Sequence, residues 1–405
     1  MNVKIFEKLK DKSNKRMILR YIVALVGAAV FIIAEPFLIP LVSQAVGHAT
    51  LFTTAITAPT ATLHALQDRF AGDAVEEPPE DIEFPYPSSN NPQSQESSSS
   101  ESTAPPSSSS MPLPNTSISE PSQPLPPPPE IPKKFQAPLY SEIMHGEPSN
   151  QAFLQYGNVW IRNYTKLDNT EIEKVLETPS SLALKNNDQP QVLIYHTHAT
   201  ESYELYDREI YDTRNTWRET DNTMNMVAVG DVLTRELKRM GINVIHDTTQ
   251  HDYPSYNGSY DRSAETMSKY LKQYPSIKVT IDLHRDGIVR NDDSIVKTAV
   301  EINGKKAAQL MMIVPCDDGS VGVKNWRENL RFATEMSAYI EDGVPGLLRP
   351  MFFCYRNYNL GMTNASVLFE VGTNGNTLEE AKYTAQLIAE PIAKYLNQTI
   401  TNTGS

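Results

Sequence analysis

The chain has 405 residues, 40% of them hydrophobic, and a formal net charge of −13 at pH 7. Its length exceeds one ordinary domain. The acidic balance, with no basic stripe beyond the N-terminus, argues against nucleic acid as a main partner.

In chain order, residues 1–16 form a basic tail, and Lys4, Lys8, Lys10, Lys12, Lys15, Arg16 and Arg20 flank an apolar segment over 17–42. That segment is long enough for a bilayer core of about 30 Å. The basic flank predicts a cytoplasmic N-terminus and an exported remainder. The expected localisation is therefore the cell membrane, single-pass, with the C-terminal domain extracytoplasmic. Glu35 and Pro36 interrupt the run, which leaves a shorter span of 18–34 with an interfacial remainder. A cleaved signal peptide is the alternative; the apolar stretch is longer than a signal core, which favours an anchor.

Residues 43–137 are expected to be a juxtamembrane segment followed by a linker. From about Gly72 the linker holds most of the chain's 29 prolines, serine runs at 97–100 and 107–110, and a proline run at 126–129. Such a sequence buries too little apolar surface to offset its ordering entropy, so a solvated, partly polyproline tether is predicted.

Residues 138–400 read as one domain. Val192–Tyr195 predicts a strand, Met224–Met240 a helix with an apolar face, and Ile242–Ile245 the next strand. Ala264–Tyr274 reads as a helix and Ile277–Leu283 as a strand. Thr298–Ile302 and Gln309–Val314 read as a hairpin across Asn303-Gly304. A helix over Asn325–Ile340 precedes strands at Met351–Tyr355 and Val367–Val371. A last helix starts at Thr377 with a capping box to Glu380, and Pro391 should kink it. Strands alternating with helices predict an open α/β fold, its sheet mainly parallel and covered by helices on both faces. Cys316 and Cys354 sit in apolar strand contexts and read as buried, unpaired thiols.

Three strand ends carry the chemistry. Val192–Tyr195 runs into His196-Thr197-His198-Ala199-Thr200-Glu201, the Ile277–Leu283 strand into His284-Arg285-Asp286, and the Val367–Val371 strand carries Glu370. Open α/β sheets bind ligands at the carboxyl edge. Two His and a Glu around zinc with an open position, plus a second Glu as base, suit hydrolysis. Glu370 ends an apolar strand, where a carboxylate is costly to bury without a task. A general base gains from the raised pKa such burial brings. His198 is chosen as ligand and His196 is expected to turn away. Asp286 is a candidate to orient a ligand histidine. Arg285 is a candidate to bind a substrate carboxylate or oxyanion, unless the two pair with each other or with neighbours. The His246–Tyr260 stretch reads as a substrate-groove loop.

The segments YHTHATESY, HD…HDYPSYNGSYDRS, TIDLHRDG and LFEVGTN closely resemble the stage II sporulation protein P family of membrane-anchored cell-wall hydrolases. The resemblance spans about Pro190 to Leu396. It implies a fold similar to the zinc N-acetylmuramoyl-L-alanine amidases, an open phosphorylase/hydrolase-like α/β arrangement. It places zinc on His198 and His284 and makes Glu370 the catalytic Glu. Those amidases take a Glu ligand from the start of the helix after the first strand. Here residues 222–227 lack one, so Glu201 is assigned, with Glu219 in reserve. The resemblance further implies peptidoglycan as substrate, amidase and cross-link endopeptidase activity, and a task in forespore engulfment. The implied partners are a lytic transglycosylase and a membrane protein. Two rival readings are a zinc carboxypeptidase-like exopeptidase, with Arg262 or Arg285 clamping a terminal carboxylate, and a non-catalytic wall-binding scaffold.

Overall fold

The structure is a computed structural model that describes residues 126–401. The expected anchor at 17–42 and most of the expected linker lie outside the described residues. Among the described residues no helix is long and apolar enough to cross a membrane.

In chain order the strands are β1 (Gln136–Glu142), β2 (Phe153–Tyr156), β3 (Val159–Tyr164), β4 (Leu184–Lys185), β5 (Val192–Tyr195), β6 (Ile210–Asp212), β7 (Val244–His246), β8 (Val279–Asp286), β9 (Ile295–Ile302), β10 (Lys305–Ala308), β11 (Leu310–Pro315), β12 (Met351–Cys354), β13 (Ala365–Thr373) and β14 (Ile400–Thr401). The α-helices are α1 (Asn169–Leu176), α2 (Met226–Arg239), α3 (Ser259–Gln273), α4 (Trp326–Gly343) and α5 (Leu378–Gln398).

An eight-stranded sheet in the order β2-β3-β12-β11-β13-β8-β5-β7 forms the centre. A four-stranded sheet, β10-β9-β1-β6, and a β14-β4 pair accompany it. The expectation of a mainly parallel sheet is corrected: the sheets are mixed. In the large sheet β2–β3 and β11–β13 are antiparallel, and in the smaller one β1–β6 and β9–β10 are antiparallel. Connection length explains the central reversal. Only Gln309 separates β10 from β11, so β11 leads straight on from the β9–β10 hairpin into the large sheet with no room for a crossover to reverse it. Leu310 therefore starts opposite Val371, at the carboxyl end of β13, and β11 runs back against it.

The hairpin is corrected in the same way. Asn303 and Gly304, both at positive φ, join β9 to β10 rather than to β11. Such a two-residue turn sets the register directly, with Lys305 opposite Ile302.

Helices do cover both faces of the large sheet. Val192 and Ile194 pack into the main core with Val229, Leu233, Leu330, Ala333, Ile388 and Ile392 from α2, α4 and α5. Leu193 and Tyr195, on the alternate face, pack with Met267, Tyr270 and Leu271 of α3. The capping box Thr377/Glu380 starts α5, which continues through Pro391. Both cysteines are free and buried, and burial pushes each thiol up to about 12.

One glycine is required by close approach. A Cβ at Gly230 in α2 would lie 2.5 Å from His246 Nε2 and 2.8 Å from His196 Nε2. Those two imidazoles are themselves 2.8 Å apart and buried against the helix. Gly230→Ala is expected to cost about 1–3 kcal/mol through overpacking. Thermal unfolding checks this; an unchanged Tm would show that the imidazole pair can shift freely.

Candidate metal centre

β5 ends at Tyr195, beside Asp282 of β8. The next residues leave the sheet. Thr197 N–H and Oγ1 donate to Asp282 at 2.8 and 2.6 Å, and Glu201 N–H returns to His198 O at 3.2 Å. This turn brings His198 and Glu201 round onto one side. Along β8, alternation sets Asp282, His284 and Asp286 on one face. Glu370 lies opposite His284 on the neighbouring parallel strand, so it shares that face.

His198, Glu201 and His284 meet, with one ligand atom from each within 4.8 Å of the others. His198 Nδ1 is 3.5 Å from Glu201 Oε1, and His284 Nδ1 is 3.6 Å from Glu201 Oε2. Ligands about 2.0–2.2 Å from a tetrahedral metal lie roughly 3.3–3.6 Å apart. The carboxylate thus stands at ligand spacing from both rings, beyond hydrogen-bond length. All three residues are buried, as is Glu370.

The electrostatics suit a cation. Burial disfavours a charged His284, yet the negative charges of Asp282, Glu201 and Glu370 push it up to about 10. Burial also opposes the charge on Glu201, but His198 and the positive charges of Arg218 and Arg285 hold its carboxyl well below the usual range. Glu370 differs: burial, with the charge of Asp286 added, raises it well above an ordinary carboxylate. Its Oε2 is buried with no hydrogen-bond partner among the described residues. His284 Nε2 is 2.9 Å from Asp282 Oδ1 but out of line for a hydrogen bond. Carboxylates ringing the cluster and a buried Glu370 oxygen without a partner beside it are what a metal with bound water would satisfy. The donor set therefore fits a divalent metal that accepts nitrogen and oxygen.

Each expected residue has a definite place. Glu201 is in the cluster, whereas the reserve, Glu219, is exposed and its Oε1 accepts the N–H groups of Thr220 and Asp221. His196 does turn away: its Nδ1 meets Leu283 O at 2.9 Å and its Nε2 meets His246. Asp286 does not orient a histidine, because its Oδ2 accepts Arg349 Nη1 at 2.8 Å. Asp282 stands against His284 instead.

Arg285 is turned from the chemistry. Its guanidinium donates to the carbonyls of Ser202, Asp286 and Trp217 at 2.6, 3.1 and 2.9 Å. Only its backbone N–H reaches the cluster, at 3.1 Å from Glu201 Oε2. An oxyanion would have to displace those carbonyls. Arg262 is committed likewise, to the carbonyls of His251, Asn257 and Ser255.

The groove-loop reading of 246–260 is corrected for its first half. His251 and Asp252 point inward: His251 Nδ1 meets His196 O at 2.7 Å, and Asp252 accepts from Thr200 Oγ1 at 2.5 Å and Arg218 Nη1 at 3.0 Å. They brace the turn that carries His198 and Glu201. Ser259, at the start of α3, meets His198 Nε2 at 3.2 Å, and Tyr256 stacks on the same ring. Sequence reading placed Asp252 and Ser259 in the groove loop and missed Asp282 and Arg218. Asp282 alone carried a signal, being two residues before His284 on one strand face.

The family model described as stage II sporulation protein P matches residues 82–393. The stage II sporulation protein P of Bacillus subtilis (strain 168) is 30% identical over 243 residues, covering 54% of this chain and 56% of that protein. The chain thus spans just over half the length of this curated relative. Among solved structures, an N-acetylmuramoyl-L-alanine amidase from Clostridium difficile 630 is 15% identical, over 54% of this chain and 100% of that one, with a TM-score of 0.31. An N-acetylmuramoyl-L-alanine amidase of Nostoc punctiforme is 12% identical, over 52% and 97%, with a TM-score of 0.30.

Proposed function

The chain belongs to the stage II sporulation protein P family, and from that premise we propose that it is a membrane-anchored, zinc-dependent peptidoglycan hydrolase of sporulation. The observation that carries the reading is the meeting of His198, Glu201 and His284 at ligand spacing, with Glu370 opposite His284. The bond we assign is the lactyl amide of N-acetylmuramoyl-L-alanine, with peptide cross-links as a second target. The apolar segment 17–42 is the anchor, the residues from 43 up to β1 hold the tether, and the domain that takes in β1 from Gln136 and runs to 400 is the catalytic domain outside the membrane. Its partners are the wall itself and, by family resemblance, a lytic transglycosylase and a membrane protein of the engulfment machinery.

Zinc on His198, Glu201 and His284 would supply a Lewis acid and lower the pKa of water at the site. The protein's own residues do the rest. Asp282 holds the His284 ring from behind, and Ser259 and Tyr256 fix the His198 ring. Arg218, braced by Asp252, keeps Glu201 ionised and in place. Glu370, whose burial raises its proton affinity, takes a proton from the attacking water and delivers it to the departing amine.

Asp282→Asn is expected to weaken zinc binding by about 10–100-fold, since partners behind ligand histidines act at that scale. Competition with a chromophoric chelator checks it; unchanged affinity removes Asp282 from the role. The exopeptidase reading expects Arg262 or Arg285 to clamp a terminal carboxylate, and both are engaged by carbonyls. Mass spectrometry of purified peptidoglycan treated with the protein, with and without chelator, tests the whole reading. Free glycan strands and intact stem peptides are expected. Loss of single terminal residues would favour the exopeptidase, and binding without cleavage the scaffold.

A further inference from the structure

Arg349 bonds Asp286, two residues past His284, and lines a cavity that the mechanism does not use. Arg349 N–H bonds Leu310 O at 2.8 Å, so the residue sits at the sheet edge where Leu310 faces Val371, one residue beyond Glu370. Its side chain is 7% exposed and donates Nη1 to Asp286 Oδ2 at 2.8 Å. Asp286 lies two residues past His284 on β8, about 7 Å along an extended strand. A guanidinium offers five N–H donors. Among the described residues this one makes a single side-chain hydrogen bond, to Asp286. Arg285 and Arg262, by contrast, have each spent three donors on carbonyls.

The same side chain lines a cavity of about 170 Å3 together with Met144, His145, Trp160, Gln309 and Glu341. Gln309 is not available there: its Oε1 accepts Met144 N–H and its Nε2 donates to Met144 O. Glu341 Oε1 accepts Gly346 N–H at 2.7 Å. Arg349 is thus the cation in this wall with donors to spare; its remaining nitrogens are not shut away from water, and a guanidinium with open donors is a ready partner for a planar anion.

We infer that Arg349 and this cavity form a subsite for a carboxylate of the substrate's peptide, the α-carboxylate of the second stem residue. The inference rests on the peptidoglycan hydrolase reading. In a stem attached through alanine, that carboxylate stands two residue lengths from the scissile amide, roughly 7 Å. This matches the spacing from His284 to Asp286, where Arg349 is held. Asp286 fixes one edge of the guanidinium and leaves the rest to pair with a planar anion.

The test compares uncross-linked glycan strands whose stems carry L-alanyl-D-glutamate with the same strands carrying the α-carboxamide, L-alanyl-D-isoglutamine. The purified full chain should cleave the carboxylate form with kcat/KM about 10-fold higher or more, the size of a hydrogen bond between charged groups. The difference should lie mainly in KM. Arg349→Met should bring the two substrates near parity. Arg349→Lys, which keeps charge but loses the fork, should fall between. Equal cleavage of both strands by the wild-type chain overturns the inference and leaves the hydrolase reading standing. So does an Arg349→Met chain that slows on both but keeps its preference, because Arg349 would then act through Asp286 alone. Cleavage of neither strand removes the hydrolase reading and the inference with it. If Arg349→Met does not fold, the wild-type substrate pair and Arg349→Lys still decide.

Discussion

Glu370→Gln is expected to lower peptidoglycan hydrolysis by about 10²–10⁴-fold, the usual worth of a positioned general base, while zinc stays bound. The substitution keeps size and shape and removes only the proton acceptor. Glu370 is placed for the task by backbone register, opposite His284 on a parallel strand, so its position does not depend on a flexible loop. A bulge follows it: the β13–β8 register shifts between Glu370 and Thr373, and Gly372 takes φ +67° there. Bulges beside active sites re-aim side chains. Burial and the nearby Asp286 raise the Glu370 carboxyl, as a base that must later give its proton back requires. Release of muropeptides, measured beside zinc content, reads both halves of the prediction. Hydrolysis near the wild-type rate would remove Glu370 from the mechanism.

Removing the metal should have an effect at least as large. Dialysis against a strong chelator is expected to abolish hydrolysis, and stoichiometric zinc to restore it, while magnesium does not. Two imidazoles and one carboxylate suit zinc, whereas magnesium favours all-oxygen, octahedral surroundings. Unfolding measured before and after chelation separates chemistry from stability. The cluster sits at strand ends already held by Thr197–Asp282 and Asp252–Thr200 bonds, so the fold should survive. Full activity in the chelated protein would end the metal reading.

The parts of this molecule legible in its sequence are those with local causes. Val192–Tyr195, the α2 face and the Thr377/Glu380 box each follow from a few neighbouring residues, and their ends fall within a few residues of the structure. His198, Glu201, His284 and Glu370 were legible because each follows an apolar strand, and strand ends gather at a sheet edge. What escaped depends on long-range closure. β1, β2 and β3 were not assigned, although α1 has a readable box in Asp168 and Glu171. The direction of β11 follows from the single residue that joins it to β10, not from its own apolar pattern. Arg285 looked free because it neighbours His284, but alternation along β8 sends its side chain to other carbonyls. Asp282 and Arg349 earn their places only through strands brought together by the fold.

Zinc stoichiometry across a small panel tests the central claim most directly. Purified full-length chains would be analysed for zinc by mass spectrometry as the wild type, His198→Ala, Glu201→Gln, His284→Ala and Glu219→Gln. The account predicts about one zinc per wild-type chain, as a three-ligand site with one open position holds a single ion. It predicts loss from the first three variants and retention by Glu219→Gln, whose carboxylate lies in an exposed turn. A wild-type chain that takes up no zinc, or zinc kept by His198→Ala, Glu201→Gln and His284→Ala alike, would contradict it.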